Sequence, residues 1–380
     1  MNKLWHDANG SLLKYNRTTA AHMYYRFTSK AFKFIIGGYL LLSIFVQYGA
    51  ATPLLNADIH SWALETIAYL YNEQYKEAEA TAAEIIKKYP YHPAGYFFSA
   101  VTIDSWMSAH LSDKREDEFY NYCELAVDKA NKILDKNPYD EWAQFFLGGA
   151  EGYKGTYEFR YGRWITAGRH GWKGVSILKK LQDQKSGIPD LEYGIGNYEY
   201  WRSALMNRLW WLPKVEDKRA AGIEKLIRVQ TNGIYTKLPA SISLIDIFLN
   251  EKRYAEALAI ADEAGERYPN CRMFILGKAQ ALFGLNRFEE SEMACRQALV
   301  RAESDTVNER AYEEVCHFWI ARIDSALGRY TECIAQCELI KKYKPGDDTY
   351  ESLEEYLSES ENLRTGVLSA IKNGLTAKKQ

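Results

Sequence analysis

Proline and cysteine are scarce in this 380-residue chain, with nine of the first and six of the second. So few prolines leave long stretches in which a helix can run unbroken. The cysteines (Cys123, Cys271, Cys295, Cys316, Cys333 and Cys337) form neither a CxxC pair nor a zinc-binding spacing. Cys333 and Cys337 stand one turn apart on a single predicted helix, as packing residues do. The pattern argues against a disulfide framework and, mildly, against a strongly oxidising destination. No HExxH, GxSxG or Walker sequence occurs. Gly194-Ile195-Gly196 lacks both a preceding strand and the third glycine of a dinucleotide fingerprint. The seven histidines are scattered, and no two are spaced to share a metal on one helix. Paired carboxylates such as Glu313-Glu314 and Asp347-Asp348 read as solvated faces. The expectation is therefore a non-catalytic protein with no cofactor and no metal site.

Charge of one sign is also missing. The formal net charge is -2, but residues 1–51 carry six Lys/Arg against the single acid Asp7. Taking these from the chain's 48 basic and 50 acidic residues leaves 42 and 49, a balance of -7 for the remainder. Such a body has no general attraction for nucleic acid or anionic lipid, so neither is an expected partner.

No apolar run reaches the 18 or more residues that normally span a bilayer. The longest, FIIGGYLLLSIFVQY from Phe34 to Tyr48, follows Lys30 and Lys33 and precedes GAATP. A basic flank, a short apolar core and small residues beyond it describe an export signal. Residues 1–51 are accordingly read as a leader. Its first 22 residues form either a disordered tail or an extension ahead of a start at Met23. Export to the periplasm or cell envelope is expected. The alternatives are a retained membrane anchor at 34–48 or a buried first helix.

Aromatic residues are plentiful, at 14% with 28 Tyr and 10 Trp, and so are regular intervals. Tyr254-Ala255-Glu256-Ala257 returns 34 residues later as Phe288-Glu289-Glu290-Ser291. A small residue stands twelve positions before a proline four times: Ala78 to Pro90, Ala126 to Pro138, Ala257 to Pro269 and Cys333 to Pro345. The small residue lets two helices approach, and the proline ends the second one. A period near 34 marks helical hairpins that hide their apolar sides by stacking. Residues 52–346 are predicted to form about seven such hairpins, with residues 347–380 supplying a polar capping helix, Asp348 to Ser360, and a tail.

Trp62, Tyr69, Ala78 and Pro90 have the spacing of the tetratricopeptide repeat, which this chain resembles. That resemblance implies an all-α, right-handed superhelical solenoid of stacked antiparallel helical hairpins. The stretch YGIGNYEYWRSALMNRLWWLP, residues 193–213, and its continuation to Ile223 resemble a family of exported bacterial tetratricopeptide proteins. They are distantly similar to eukaryotic outer-membrane and inclusion-body-clearance repeat proteins, but lack their longer Pro-rich turn. No catalytic residue follows from either likeness.

Two uses are expected of such a body. The first is a protein or peptide partner held on a concave face built mainly from the first helix of each hairpin. Tyr96, Asp104, Trp142, Tyr157 and Arg202 are its candidate exposed residues, and the work would be interaction or assembly along the secretory route. The alternative is a small ligand or glycan at the aromatic and Arg-rich centre, residues 157–211. There Tyr157, Arg160, Tyr161, Arg163, Trp164, Arg169, His170 and Trp172 are joined by Tyr198, Trp201 and Arg202. Gly148, Gly149, Gly152 and Gly155 interrupt one predicted helix. They announce a backbone or ring passing close by, with Tyr157, Trp164 and Trp172 as candidates to fill the space.

Overall fold

A computed structural model describes residues 55–208, 216–304, 310–343 and 352–377. The leader at 1–51 lies outside the described residues, as do Trp210 and Trp211. Among the described residues there are fifteen α-helices and no strand. Fourteen pair into seven hairpins. These are α1 Ala57–Tyr71 with α2 Tyr75–Lys88, α3 Pro93–His110 with α4 Glu116–Leu134, and α5 Glu141–Arg160 with α6 Trp164–Asp183. They continue with α7 Leu191–Arg208 and α8 Arg219–Asn232, α9 Lys237–Asn250 and α10 Tyr254–Arg267, and α11 Arg272–Gly284 and α12 Phe288–Glu303. The last pair is α13 Ala311–Ala326 with α14 Tyr330–Lys342, and α15 Ser352–Ala377 follows it. None of these helices is long and apolar enough to cross a membrane.

The hairpins form for local reasons that recur. A residue with positive φ turns the chain between the two helices: Glu73, Gly162, Lys252, Asn286 and Gly328. This is the left-handed step that terminates a helix and frees the chain to reverse. Just beyond the turn, Ala78, Ala257, Ser291 and Cys333 are fully buried where the paired helices meet, and Ala126 is buried in the middle of the longer α4. The Ser291 hydroxyl satisfies itself there on the Ala279 carbonyl at 2.7 Å. Pro90, Pro138 and Pro269 stand beyond α2, α4 and α10, as the sequence predicts.

The third hairpin shows what its glycines do. A Cβ on Gly155 would lie 2.8 Å from the Gly171 nitrogen, and one on Gly174 would lie 2.7 Å from the Gly148 carbonyl oxygen. At these two the facing backbone fills the space, whereas a Cβ on Gly149 would meet the Phe97 ring of α3 at 2.9 Å. Trp164 and Trp172 point to solvent, and Tyr157 packs on Phe119 and Tyr161.

The expected concave face is largely absent as a free surface, because the solenoid closes on itself. Tyr235, at the entry to α9, donates or accepts at 2.6 Å with His60 of α1 and meets the rings of Phe98 and Trp142. Asp190 holds that entry in place by accepting from the backbone nitrogens of Ile234, Tyr235 and Thr236. At the other end of α1, Tyr71 lies against Tyr268 and Phe274. Glu73 beside it accepts from the Arg272 backbone N–H at 2.8 Å and from its Nε and Nη2 at 3.0 and 2.9 Å. The partners are 199 residues apart in sequence, and both side chains are 4% exposed. Arg272 also donates to the Ala109 carbonyl at 3.1 Å, and Tyr312 returns a hydrogen bond to the Arg272 carbonyl at 2.9 Å. Hairpins one, two, six and seven are thereby tied together.

The C-terminal helix packs on the last hairpin and runs from Ser352 to Ala377, well past Ser360, while Asp348 lies outside the described residues. Its own Leu353 and Val367 are buried, Leu353 among Ala311 and Val315 of α13 and Val367 beside Cys333 and Cys337 of α14, and Tyr356 meets Phe318 edge-on at 5.2 Å.

Candidate interaction surface

The candidate residues at the end of α5 fall into two layers. The inner one is committed to the fold. Arg160 bonds Asp104 and Ser108 through very short contacts and lies 5.6 Å over the Tyr157 ring. Arg163 is ion-paired to Glu116 at 3.0 Å and Glu158 at 2.7 Å, with the Tyr157 and Tyr161 rings beneath it. Burial pushes the Asp104 carboxyl up from its ordinary value, against the pull of Arg160. His170 is within 2.7 Å of Glu151, which also takes Lys173 and Lys154. Burial opposes ionisation of Glu151, yet these three partners hold its carboxyl below the ordinary value. Glu199 repeats the device one hairpin later with Lys179 and Lys225. These networks staple neighbouring helices.

Several candidate exposed residues need correction accordingly. Asp104, Trp142 and Tyr157 are buried, because they lie on the faces of α3 and α5 that pack against neighbouring helices. Tyr96 is half-buried, its hydroxyl donating to the Pro90 carbonyl and its ring under Lys129. Of the concave-face set only Arg202 is exposed.

The outer layer is different. Trp164, Ile165 and Trp172 on α6 are 54%, 91% and 61% exposed. Trp164 meets Phe159 at 5.0 Å, Phe159 meets Trp201 at 6.3 Å, and Trp172 meets Tyr198 at 6.3 Å. The rings of α5, α6 and α7 therefore make one aromatic shelf across the third and fourth hairpins. Arg169 and Arg202 stand exposed on the same helices, with no ion pair among the described residues. Among those residues no cluster of three His, Cys, Asp or Glu could hold a metal ion.

Sequence reasoning missed Glu73 and Arg272. A signal was present: Arg272 opens a helix, where a cation opposes the helix dipole and demands a dedicated carboxylate. It also missed Arg322, which lies among Phe283, Phe318 and Trp319 with neither a hydrogen bond nor an ion pair among the described residues.

No family model matches the sequence, and no curated protein does. Among solved structures, the chain is similar to a tetratricopeptide repeat protein from Parabacteroides merdae, at 11% identity and TM-score 0.37, over 80% of this chain and 99% of that one. It is similar to aspartyl phosphate phosphatase F from Bacillus subtilis at 15% identity and TM-score 0.38, over 87% and 85%. Yeast Tom70 is similar at 10% identity and TM-score 0.32, over 82% and 90%. Paired helices, recurring left-handed turns and the 34-residue step from Tyr254 to Phe288 make the described body an all-α solenoid of stacked antiparallel helical hairpins.

Proposed function

We propose that this protein is a non-catalytic interaction scaffold whose partner docks on the aromatic shelf of the third and fourth hairpins. The shelf carries the reading. Trp164, Ile165 and Trp172 are exposed on one helix, Trp164 in ring contact with Phe159 and Trp172 with Tyr198, and exposed apolar surface on a folded protein marks an interaction site. Trp and Arg are the residue types that anchor protein interfaces most strongly. The matching partner segment presents apolar side chains flanked by carboxylates for Arg169 and Arg202. A protein docked there needs no opening of the closed first-helix core.

The test is a paired variant, Trp164→Asp with Trp172→Asp, in partner capture from the native host. The partner retained by the native chain should be lost while the thermal midpoint stays put, since both rings are largely in water. Undiminished capture by the variant overturns the reading. A glycan is the second reading, favoured by the same exposed indole faces, which can stack on a sugar ring. Oligosaccharide binding abolished by the paired variant, with no protein captured, would select it.

The basic flank and apolar run at 34–48 support a place along the secretory route or in the cell envelope. Fractionation followed by amino-terminal sequencing tests this. A mature end near Ala50 or Ala51 is expected, and full-length protein in the cytosol would refute it.

A further inference from the structure

Away from the shelf, the fifth, sixth and seventh hairpins line a pocket of about 380 Å³. Leu249 of α9, Gln280 and Phe283 of α11, Asn286 in the following turn, and Trp319 and Arg322 of α13 form its walls. The Arg322 guanidinium sits 4.4 Å from the Trp319 ring centre and 4.8 Å from that of Phe283. It has neither a hydrogen bond nor an ion pair among the described residues. Arg160, Arg163 and Arg272, by contrast, are each engaged by a carboxylate. The indole N–H of Trp319 is likewise buried without an acceptor. Rings that pack against a guanidinium leave its planar fork of N–H donors as the unused capacity, and that fork matches a carboxylate.

The geometry points to a binding site for a monocarboxylate carried on an apolar body. The carboxylate pairs with Arg322, and the apolar part lies against Leu249 and Phe283. The volume is within the range of small-molecule sites. One negative charge fits better than two. Arg322 is the sole cation on these walls, and Glu359 already acts on it from α15. A second ligand charge would be desolvated without a partner.

Ligand-detected saturation-transfer NMR on the full chain, with benzoate, benzamide and phenyl phosphate as probes, tests the assignment. Benzoate should bind about tenfold more tightly than neutral benzamide, and phenyl phosphate no more tightly than benzoate. Arg322→Lys keeps the charge but loses the fork, and should weaken benzoate about fivefold. Arg322→Gln should abolish the preference over benzamide. Gly284→Ala leaves Arg322 intact but places a Cβ 2.4 Å from the Tyr254 ring, which also lines the pocket, and should weaken benzoate by displacing that ring. Circular dichroism melts establish which variants are folded, and if Arg322→Gln is not, the Lys and Ala variants decide. The assignment is overturned by any of four results. These are no benzoate binding at concentrations on the order of 10 mM, equal binding of benzoate and benzamide, tighter binding of phenyl phosphate, or native affinity in folded Arg322→Lys.

Discussion

Replacing Arg272 with alanine tests whether closure of the solenoid is a structural necessity or an incidental contact. In the native chain the Glu73 carboxylate is buried and receives three donors from Arg272, with Arg301 3.6 Å away at the edge. The substitution removes two of those three donors and the bond to the Ala109 carbonyl. It leaves a buried carboxylate with little more than one backbone N–H. Breaking a buried pair in this way costs about 3–5 kcal/mol, because the surviving charge stays desolvated. The double variant Glu73→Met with Arg272→Met removes both charges, and is expected to lie within about 1–2 kcal/mol of native. Urea titrations followed by circular dichroism measure the difference, and small-angle scattering measures size. Arg272→Ala should also broaden or split the transition, since hairpins one and two lose a tie to six and seven, and should enlarge the radius of gyration. A loss below about 1 kcal/mol with unchanged size would refute the reasoning, and so would a double variant as unstable as the single one.

The remaining predictions concern titration and packing. Glu314 is buried with neither carboxylate oxygen hydrogen-bonded, and burial pushes its pKa up to about 7 from 4.5. Its raised pKa favours folding at low pH, and that contribution is lost as pH rises from about 4.5 through about 7. Glu314→Gln should therefore match native stability near pH 5 and exceed it by about 2–3 kcal/mol above pH 8. A difference that does not change with pH sinks this account. His92 has the opposite sign. Burial lowers its pKa from 6.5 to about 4 against the influence of Asp140, and its Nδ1 accepts from the Ala94 N–H at the start of α3. Stability should fall as pH drops from about 6.5 toward 4, and His92→Asn, which keeps the cap, should flatten that slope in acid titrations. Gly174→Ala should cost at least about 2 kcal/mol in thermal melts, since α5 and α6 must part to admit the methyl group. Gly168→Ala, with open space around it, should be neutral or slightly stabilising.

Much of the fold was legible because hairpins are local. The Ala257 to Pro269 interval and its counterparts report a close helix contact and a helix end within thirty residues, and both signals survive in one sequence. The glycines of α5 announced the close approach of a backbone or ring, and both occur, but the ring is Phe97 at Gly149 and none of Tyr157, Trp164 and Trp172. Bulky rings and a glycine-bearing helix can satisfy the same requirement, and only the facing Gly171 and Gly174 decide between them. Closure was harder to read, because Glu73 and Arg272 belong to the first and sixth hairpins, with four hairpins between them, and neither lies in a motif. The buried first helices still gave a hint. In α3, PAGYFFSAVTIDSWMSAH is apolar on nearly every side, and a helix of that kind is surrounded rather than exposed along a groove. Asp104, Trp142 and Tyr157 failed as exposed candidates for that reason, while Arg202 is exposed. In the aromatic centre, composition named the right neighbourhood but could not separate Tyr157 and Arg160, which hold helices together, from Trp164 and Trp172, which face water.

The placement of the six cysteines makes this chain its own conformational clock. All six thiols are buried and free, and burial raises each of them above its ordinary pKa. An alkylating reagent can therefore reach them only when the helix around each one opens. Cys123 reports on the second hairpin, Cys295, Cys316, Cys333 and Cys337 on the last two, and Cys271 adjoins Arg272 at the joint itself. The order in which these thiols react would trace breathing from the joint outward, without a label being introduced.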